Sequence, residues 1–433
     1  MGRGAPAKPF PPPWQPWREP DPLPGRKVLV LSHMFPHPRQ PASGPFVLEQ
    51  VAALRRLAGV DARVLSPRYL GPGLRHPLGS LAWELSFRRR LAAEPWRLLQ
   101  GVPVLYPPCR LHRGLVAYGW SYRAAVATCV ERVRQVFAFE LVHAHTGFLD
   151  GDAGLAVARR YGTPLVITEH TGPFSHLTSN PLVRRRTLNA LQNAGAVIAV
   201  SQAQRRDVSR YLSPRGAAKM RVIPNLVDME LFRPPREAAP DHLRPKILFA
   251  GGADRNKNPA GVLAALGLVR RRAPGARLVM TAGPGDGRQG ETTLRRLIAE
   301  SGQEAAVEYV GLQDRAGMAR LMRGCDLLVL ASQSESFGCV LIEAMSCGRP
   351  VVATDCGGPR DIVTHDFLGE LAPVGDHRAL AEAMLRVIGR LGAYDPQRIR
   401  DHARQHFSCQ VVSRSLARLY DRLAAAPPER TSD

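Results

Sequence analysis

Two glutamates, Glu335 and Glu343, stand eight residues apart around a glycine turn in SESFGCVLIEAMSCGRPVVATDCGG (334–358). Glu335 falls in the loop after the apolar run DLLVLAS, and Phe337-Gly338 lead into a helix expected to end near Gly348. A helix N-terminus offers unpaired backbone N–H groups and the positive end of a dipole, which suits a diphosphate. Gly338 lets the backbone approach such a ligand closely. A carboxylate one to two turns into the helix, Glu343, can accept hydrogen bonds from both hydroxyls of a ribose. Two glutamates around a glycine also describe an ordinary solvated helix face. What favours a site is the flanking strands, because ligands of open α/β sheets bind in the crevice at the carboxyl ends of the strands.

Those strands read as short apolar runs separated by helical periodicity. KVLVLSH begins at Lys27, a helix through FVLEQVAALRRLAG follows, and DARVLSP completes a βαβ unit. LVHAH (141–145), PLVITEH (164–170), AVIAVS (196–201) and RVIPN (221–225) continue the series. After the proline-rich FRPPREAAPDHLRP (232–245) come five more: KILFAGG, ARLVMTAG, VEYVG, DLLVLAS and PVVATD. The expected fold is α/β, with two Rossmann-like doubly wound domains. The expected divisions are a disordered Pro-rich extension over 1–25, a first domain over 26–232 and a second over 233–405. Residues 406–433 read as a C-terminal helix that packs back on the first domain, followed by a polar tail.

A chain of 433 residues exceeds the size at which single cores stop growing, in keeping with two domains. With 59 Lys+Arg against 37 Asp+Glu it carries a formal charge of +22, which suits a polyanionic partner. Zinc-finger spacing, an RNP signature and a heptad-linked basic region are all missing, so nucleic acid is not the expected partner. The segment 71–135 holds ten Arg and three Glu with Trp83, Phe87 and Trp96 between them. Around SLAWELSFRRRLAAEPWRLL a basic amphipathic helix with aromatic anchors is expected, able to lie on an anionic bilayer or to pack as a surface helix. Seven scattered Cys without a CxxC pair point to a reducing compartment and no structural zinc. Cytoplasm, at or near the inner face of the plasma membrane, is the expected address.

The 334–358 segment resembles the E-x7-E signature of family 4 glycosyltransferases, and the resemblance runs over nearly the whole chain from Lys27. GPFVLEQVAAL (44–54), LVHAHTGFLDGDAGLAVARRYGTPLVITEH (141–170), RVIPNLVDMELFRP (221–234), the KN at 257–258 and GPRDIVTHDFLGEL (358–371) match in order and spacing. The resemblance implies the GT-B fold and retaining transfer from a nucleotide-sugar donor, UDP- or GDP-linked. It implies a glycan, glycolipid or polyprenyl-linked acceptor, as in bacterial cell-surface polysaccharide assembly. By the same resemblance Glu343 holds the donor ribose and Glu335 the transferred sugar. Phe337, Gly338, Cys339 and Val340 lie beside sugar and diphosphate, and Lys257 neutralises the leaving diphosphate.

His170 closes PLVITEH where the family has a histidine near the reacting sugar, and Gly44 gives the diphosphate or acceptor access to backbone amides. His143 and His145 are expected to point to opposite faces of their strand, with His145 near the acceptor. The family usually carries an Arg five residues before the Lys; here that position is Gly252, with Arg255 as the substitute cation. The family works without a metal or other cofactor, in keeping with the lack of an Asp-x-Asp motif. Its accepted mechanism is front-face attack, in which the leaving phosphate takes the acceptor's proton. A non-catalytic GT-B scaffold at the membrane and a sugar-nucleotide epimerase are the alternatives on the same fold.

Overall fold

The computed structural model describes residues 14–15, 23–37, 43–70, 81–110, 114–235 and 243–425. Burial patterns explain the strands. In β2 (Lys27–Leu31), β3 (Asp61–Leu65), β8 (Leu141–His145), β9 (Leu165–Glu169) and β10 (Ala196–Ala199) every residue but Lys27 is buried. This is the continuous apolar run of a sheet covered on both faces. With β6 (Val102–Leu105) and β11 (Met220–Val222) they form a parallel sheet in the order β6-β3-β2-β8-β9-β10-β11.

Beside β6 the edge turns antiparallel. β5 (Arg97–Leu99) makes a hairpin with β6 through Gln100 and Gly101, both at positive φ as a tight hairpin turn requires. Within the expected disordered extension, Trp14–Gln15 forms a strand, β1, on the outer edge of β5. That corrects the expectation for 1–25 at these two residues; 1–13 and 16–22 lie outside the described residues. A separate parallel pair joins β4 (Arg68–Leu70) to β7 (Pro108–Arg110).

The second sheet is wholly parallel: β12 (Lys246–Phe249), β13 (Arg277–Met280), β14 (Val307–Tyr309), β15 (Leu327–Leu330), β16 (Val351–Thr354) and β17 (Gly369–Ala372), ordered β14-β13-β12-β15-β16-β17. The five expected strands are there, and β17 is a sixth that its short, polar GELA did not announce. One core fills this half, and two more cover the opposite faces of the first sheet.

The chain crosses between the halves twice, and the crossings touch: Val227 N–H bonds the Phe407 carbonyl at 2.9 Å. The last helix, Cys409–Ala425, then returns to the first sheet. Its Val412, Leu416, Leu419 and Tyr420 share a core with Val47, Val51 and Leu54 of helix Pro45–Ala58.

Helix Leu81–Ala93 is present where the basic amphipathic helix was expected. Its Phe87 is buried, however, under the Arg110 guanidinium, and Trp96 packs against the core. Phe87 is therefore a core residue, and Trp96 is partly buried against that core. The side chain of Trp83 lies outside the described residues.

Candidate active site

Glu335 leaves β15 on a loop that neighbouring elements hold on both sides. Its N–H bonds the Cys356 carbonyl at 3.2 Å, and its own carbonyl accepts from Gly358 N–H at 2.9 Å. Asn256 staples the same loop from below: its carbonyl accepts from Gln333 N–H at 2.7 Å, its Oδ1 accepts from Ser334 N–H at 3.0 Å, and its Nδ2 donates to the Ser334 carbonyl at 2.9 Å. Lys257 is the next residue, so the staple aligns its Nζ with the Glu335 carboxylate, and the two form an ion pair. Ser332 Oγ donates a second bond to Glu335 Oε1 at 2.8 Å.

Phe337 is buried and Gly338 takes φ 105°, a conformation that favours glycine, to start helix Cys339–Ser346. No side chain caps this N-terminus, where Leu341 N–H bonds the Gly338 carbonyl at 2.9 Å and the N–H groups ahead of it have no side-chain cap. Cys339 accepts from Asn225 Nδ2 at 3.4 Å, and burial pushes its thiol up to about 12, which keeps it un-ionised. Val340 is partly buried against the core.

Glu343 is buried on the same helix and engaged by Arg315, the first residue of helix Arg315–Arg323. Arg315 also reaches Glu49 of helix Pro45–Ala58, with Nε and Nη2 at 2.7 and 2.6 Å from Oε1. The guanidinium lies 4.6 Å from the centre of the Phe232 ring. Neither Arg315 nor Glu49 drew notice in the sequence. Glu49 sits in an ordinary helical run, and only the fold brings it to Glu343.

On the facing half, β8 and β9 deliver histidines to their carboxyl ends. His145 Nδ1 and His170 Nε2 are 3.0 Å apart with the rings stacked. The expectation that His143 and His145 face opposite ways is wrong. Residues two apart on a strand share a face, and these rings lie 4.5 Å apart. His143 is in turn held by Tyr420 OH through Nδ1 and by Thr168 Oγ1 through Nε2, each at 2.7 Å. His145 is fully buried behind His170, which keeps partial exposure beside Phe46. Burial lowers the His143 and His170 pKa to about 3, so both rings are neutral at physiological pH.

The loop at His170 hangs on a buried carboxylate that the sequence reading passed over. Glu169 accepts from the backbone N–H groups of Gly147, His170 and Thr171 at 2.7, 2.9 and 2.8 Å. A second such carboxylate, Asp150, holds His33 of the first βα loop, through His33 N–H at 2.9 Å and Nδ1 at 2.8 Å. The halves meet where Ser336, the residue after Glu335, donates its Oγ to the His170 carbonyl at 2.9 Å. This bond ties the loop of Glu335, which pairs with Lys257, to the backbone of His170 on the other half.

Gly44 begins helix Pro45–Ala58 at φ 54°, and a Cβ there would lie 2.0 Å from the Met34 carbonyl oxygen, so only glycine fits. Gly252 also has positive φ, 67°, and a Cβ on it would lie 2.3 Å from Gly283 N and 2.6 Å from Asp286 Oδ2. The missing family arginine therefore has no room on this backbone, whose Ala253 and Gly283 N–H groups are taken by Asp286 at 3.0 and 2.6 Å. Arg255 is exposed on the short turn that carries Lys257. Among the described residues no group of three or more His, Cys, Asp or Glu side chains is arranged to hold a metal ion.

Two family models cover the two halves. One described as Glycosyltransferase Family 4 matches residues 44–231, and one described as Glycosyl transferases group 1 matches 235–405. A D-inositol 3-phosphate glycosyltransferase of Jonesia denitrificans is 30% identical over 337 residues, covering 70% of this chain and 76% of the relative. The chain is a family 4 glycosyltransferase. An enzyme of the same description from Mycobacteroides abscessus is 31% identical over 320 residues, 70% of each chain. Among solved structures, this glycosyltransferase superposes on sucrose-phosphate synthase from Thermosynechococcus elongatus with a TM-score of 0.73 at 20% identity, covering 93% of this chain and 100% of that one. Anabaena HepE in complex with UDP-glucose gives 0.67 at 21% identity, over 92% and 99% of the chains. The architecture is GT-B.

Proposed function

We propose that this glycosyltransferase moves a sugar, with retention, from a UDP- or GDP-sugar to a glycan or lipid-linked acceptor in cell-surface polysaccharide or glycoconjugate synthesis. The observation that carries the reading is the Lys257–Glu335 pair, fixed beside an uncapped helix N-terminus and joined through Ser336 to His170 on the other half. In this reading the diphosphate lies on the backbone donors of Gly338 and Cys339, with Lys257 beside it. As the glycosidic bond breaks, negative charge grows on the β-phosphate, and a fixed cation lowers that barrier. Glu335, with one oxygen held by Lys257 and Ser332, accepts from hydroxyls of the sugar. Glu343 accepts from the ribose. Neutral His170 orients the reacting sugar, and the leaving phosphate takes the acceptor's proton. Lys257 supplies the charge stabilisation, without a metal. The solved complexes of HepE with UDP and UDP-glucose support a nucleotide-sugar donor.

For the acceptor, one observation favours a second reading, a phosphorylated polyol, the acceptor class printed in the relatives' names. Arg68 donates Nη1 to the His33 carbonyl at 2.8 Å, while its Nε and Nη2 are buried with no partner among the described residues. That is the edge with which a guanidinium grips two oxyanion oxygens. The exposed Arg89 and Arg90, on helix Leu81–Ala93, suit the anionic cytoplasmic face of a membrane, where we place the enzyme. No described helix is long and apolar enough to cross a membrane.

Incubation with UDP-, GDP- and ADP-sugars, with a lipid extract or with phosphorylated and plain polyols as acceptors, tests the reading by the nucleoside diphosphate released. Release that depends on both donor and acceptor is expected. If no combination yields nucleoside diphosphate, the transferase reading of this site fails.

A further inference from the structure

The carboxylate assigned to the donor ribose does not stand alone. Arg315 is placed between Glu343, on the donor half, and Glu49, one turn into the first helix of the acceptor half. Glu49 and Glu343 are both largely buried. Arg315 is backed by the Phe232 ring at the crossing between the halves. A carboxylate can accept about four hydrogen bonds, so Arg315 on Oε1 fixes the Glu343 rotamer and leaves acceptor capacity for two hydroxyls.

We propose that Glu49 and Arg315 are positioning residues that make ribose recognition depend on contact between the two halves: Arg315 orients Glu343, and Glu49 orients Arg315 only when the halves are together. The inference rests on Glu343 as the ribose ligand. Its consequence is reciprocal, since any coupling that lets closure strengthen nucleotide binding lets nucleotide strengthen closure by the same factor.

A proton enters the same balance. Burial, and then the Glu343 charge, raise the Glu49 pKa to about 7 against the pull of Arg315. The groups that bear on Glu49 are Arg315, Glu343, Asp228, Cys339 and Cys409, the last two un-ionised thiols. Burial raises this pKa although Arg315 lowers it, so an arrangement that buries Glu49 holds the proton more tightly than one that exposes it. Contact is therefore favoured below the ordinary carboxylate pKa and weakens as pH rises through about 7.

The experiment is UDP binding by calorimetry from pH 5.5 to 8.5, on the full chain and on Glu49→Gln, Glu49→Ala and Glu343→Ala. Unfolding without nucleotide serves as the check on folding. For the native chain, affinity is expected to fall as pH rises through 7. For Glu49→Ala, which touches no nucleotide, Kd is expected to rise at pH 6 by about 5-fold or more, the range of ordinary coupling energies. Glu49→Gln, which cannot titrate, is expected to remove the pH dependence. Lost binding in Glu343→Ala together with native affinity and native pH profile in both Glu49 variants overturns the coupling and leaves the ribose assignment standing. Native binding in Glu343→Ala overturns both.

Discussion

Ser336 Oγ reaches the His170 carbonyl at 2.9 Å, one residue after Glu335 and across the gap between the two sheets. The approach is close because position 172 is glycine; a Cβ there would lie 2.3 Å from Ser336 Oγ. Removing the hydroxyl leaves the carbonyl to water, and a hydrogen bond of this kind is worth about 0.5–1.5 kcal/mol net. Ser336→Ala should lower kcat/KM by about 2- to 10-fold with unchanged melting of either half, and steady-state kinetics on the nucleotide release assay will read it.

The two glutamates should separate by readout. Glu343→Ala is expected to abolish stabilisation of the protein by UDP or GDP in a thermal-shift titration, because the ribose loses its acceptor. Glu335→Ala is expected to keep nucleotide binding and lose turnover. Lys257→Ala should cost about 100-fold or more in kcat, the scale of removing one group that stabilises developing charge.

Acid should unfold the acceptor half early. His143 and His170 have pKa values lowered to about 3 by burial, whereas the unfolded chain titrates near the ordinary histidine value of about 6.5. A depressed pKa contributes no penalty above 6.5; as pH falls below it, the unfolded state gains protons that the native state refuses, and stability drops. The urea midpoint should therefore fall steadily from pH 7 to pH 5. Urea titrations at fixed pH steps check this, and a flat midpoint over that window contradicts the buried, neutral histidines.

The return helix should matter as much as any strand. Leu416 is fully buried on the first sheet, and Leu416→Ala should cost about 2–5 kcal/mol. Tyr420→Phe leaves His143 Nδ1 without its 2.7 Å partner and should cost about 1–3 kcal/mol. Chemical denaturation followed by a probe in each half should show the acceptor half losing stability first.

Much of the fold was legible because buried parallel strands are continuous apolar runs, and KVLVL, LVHAH or LLVL cannot be mistaken for surface. β17 was not, since GELA packs by position and not by composition. The hairpin at 97–105 hid in an arginine-rich stretch whose Phe87 and Trp96 looked like surface anchors and pack inward instead. In the site, Glu335 and Glu343 showed through their spacing around a glycine turn, and Lys257 only through the family resemblance. Glu49, Asp150, Glu169 and Arg315 did not, because each gains its role only from a partner distant in sequence or from backbone N–H groups. His143 was placed on the wrong face by misapplying the period of a strand.

The helix Cys409–Ala425 completes the core of the half that is translated first. A growing chain emerges N-terminus first, so the acceptor half, exposed earliest, must wait for Leu416 and Tyr420 to complete the face that helix Pro45–Ala58 covers only in part. The donor half, whose core lies between Val200 and Phe407, is complete sooner. During synthesis, then, the donor core can close before the acceptor core, and chaperones would meet a half-covered face of the first sheet until Cys409–Ala425 has emerged.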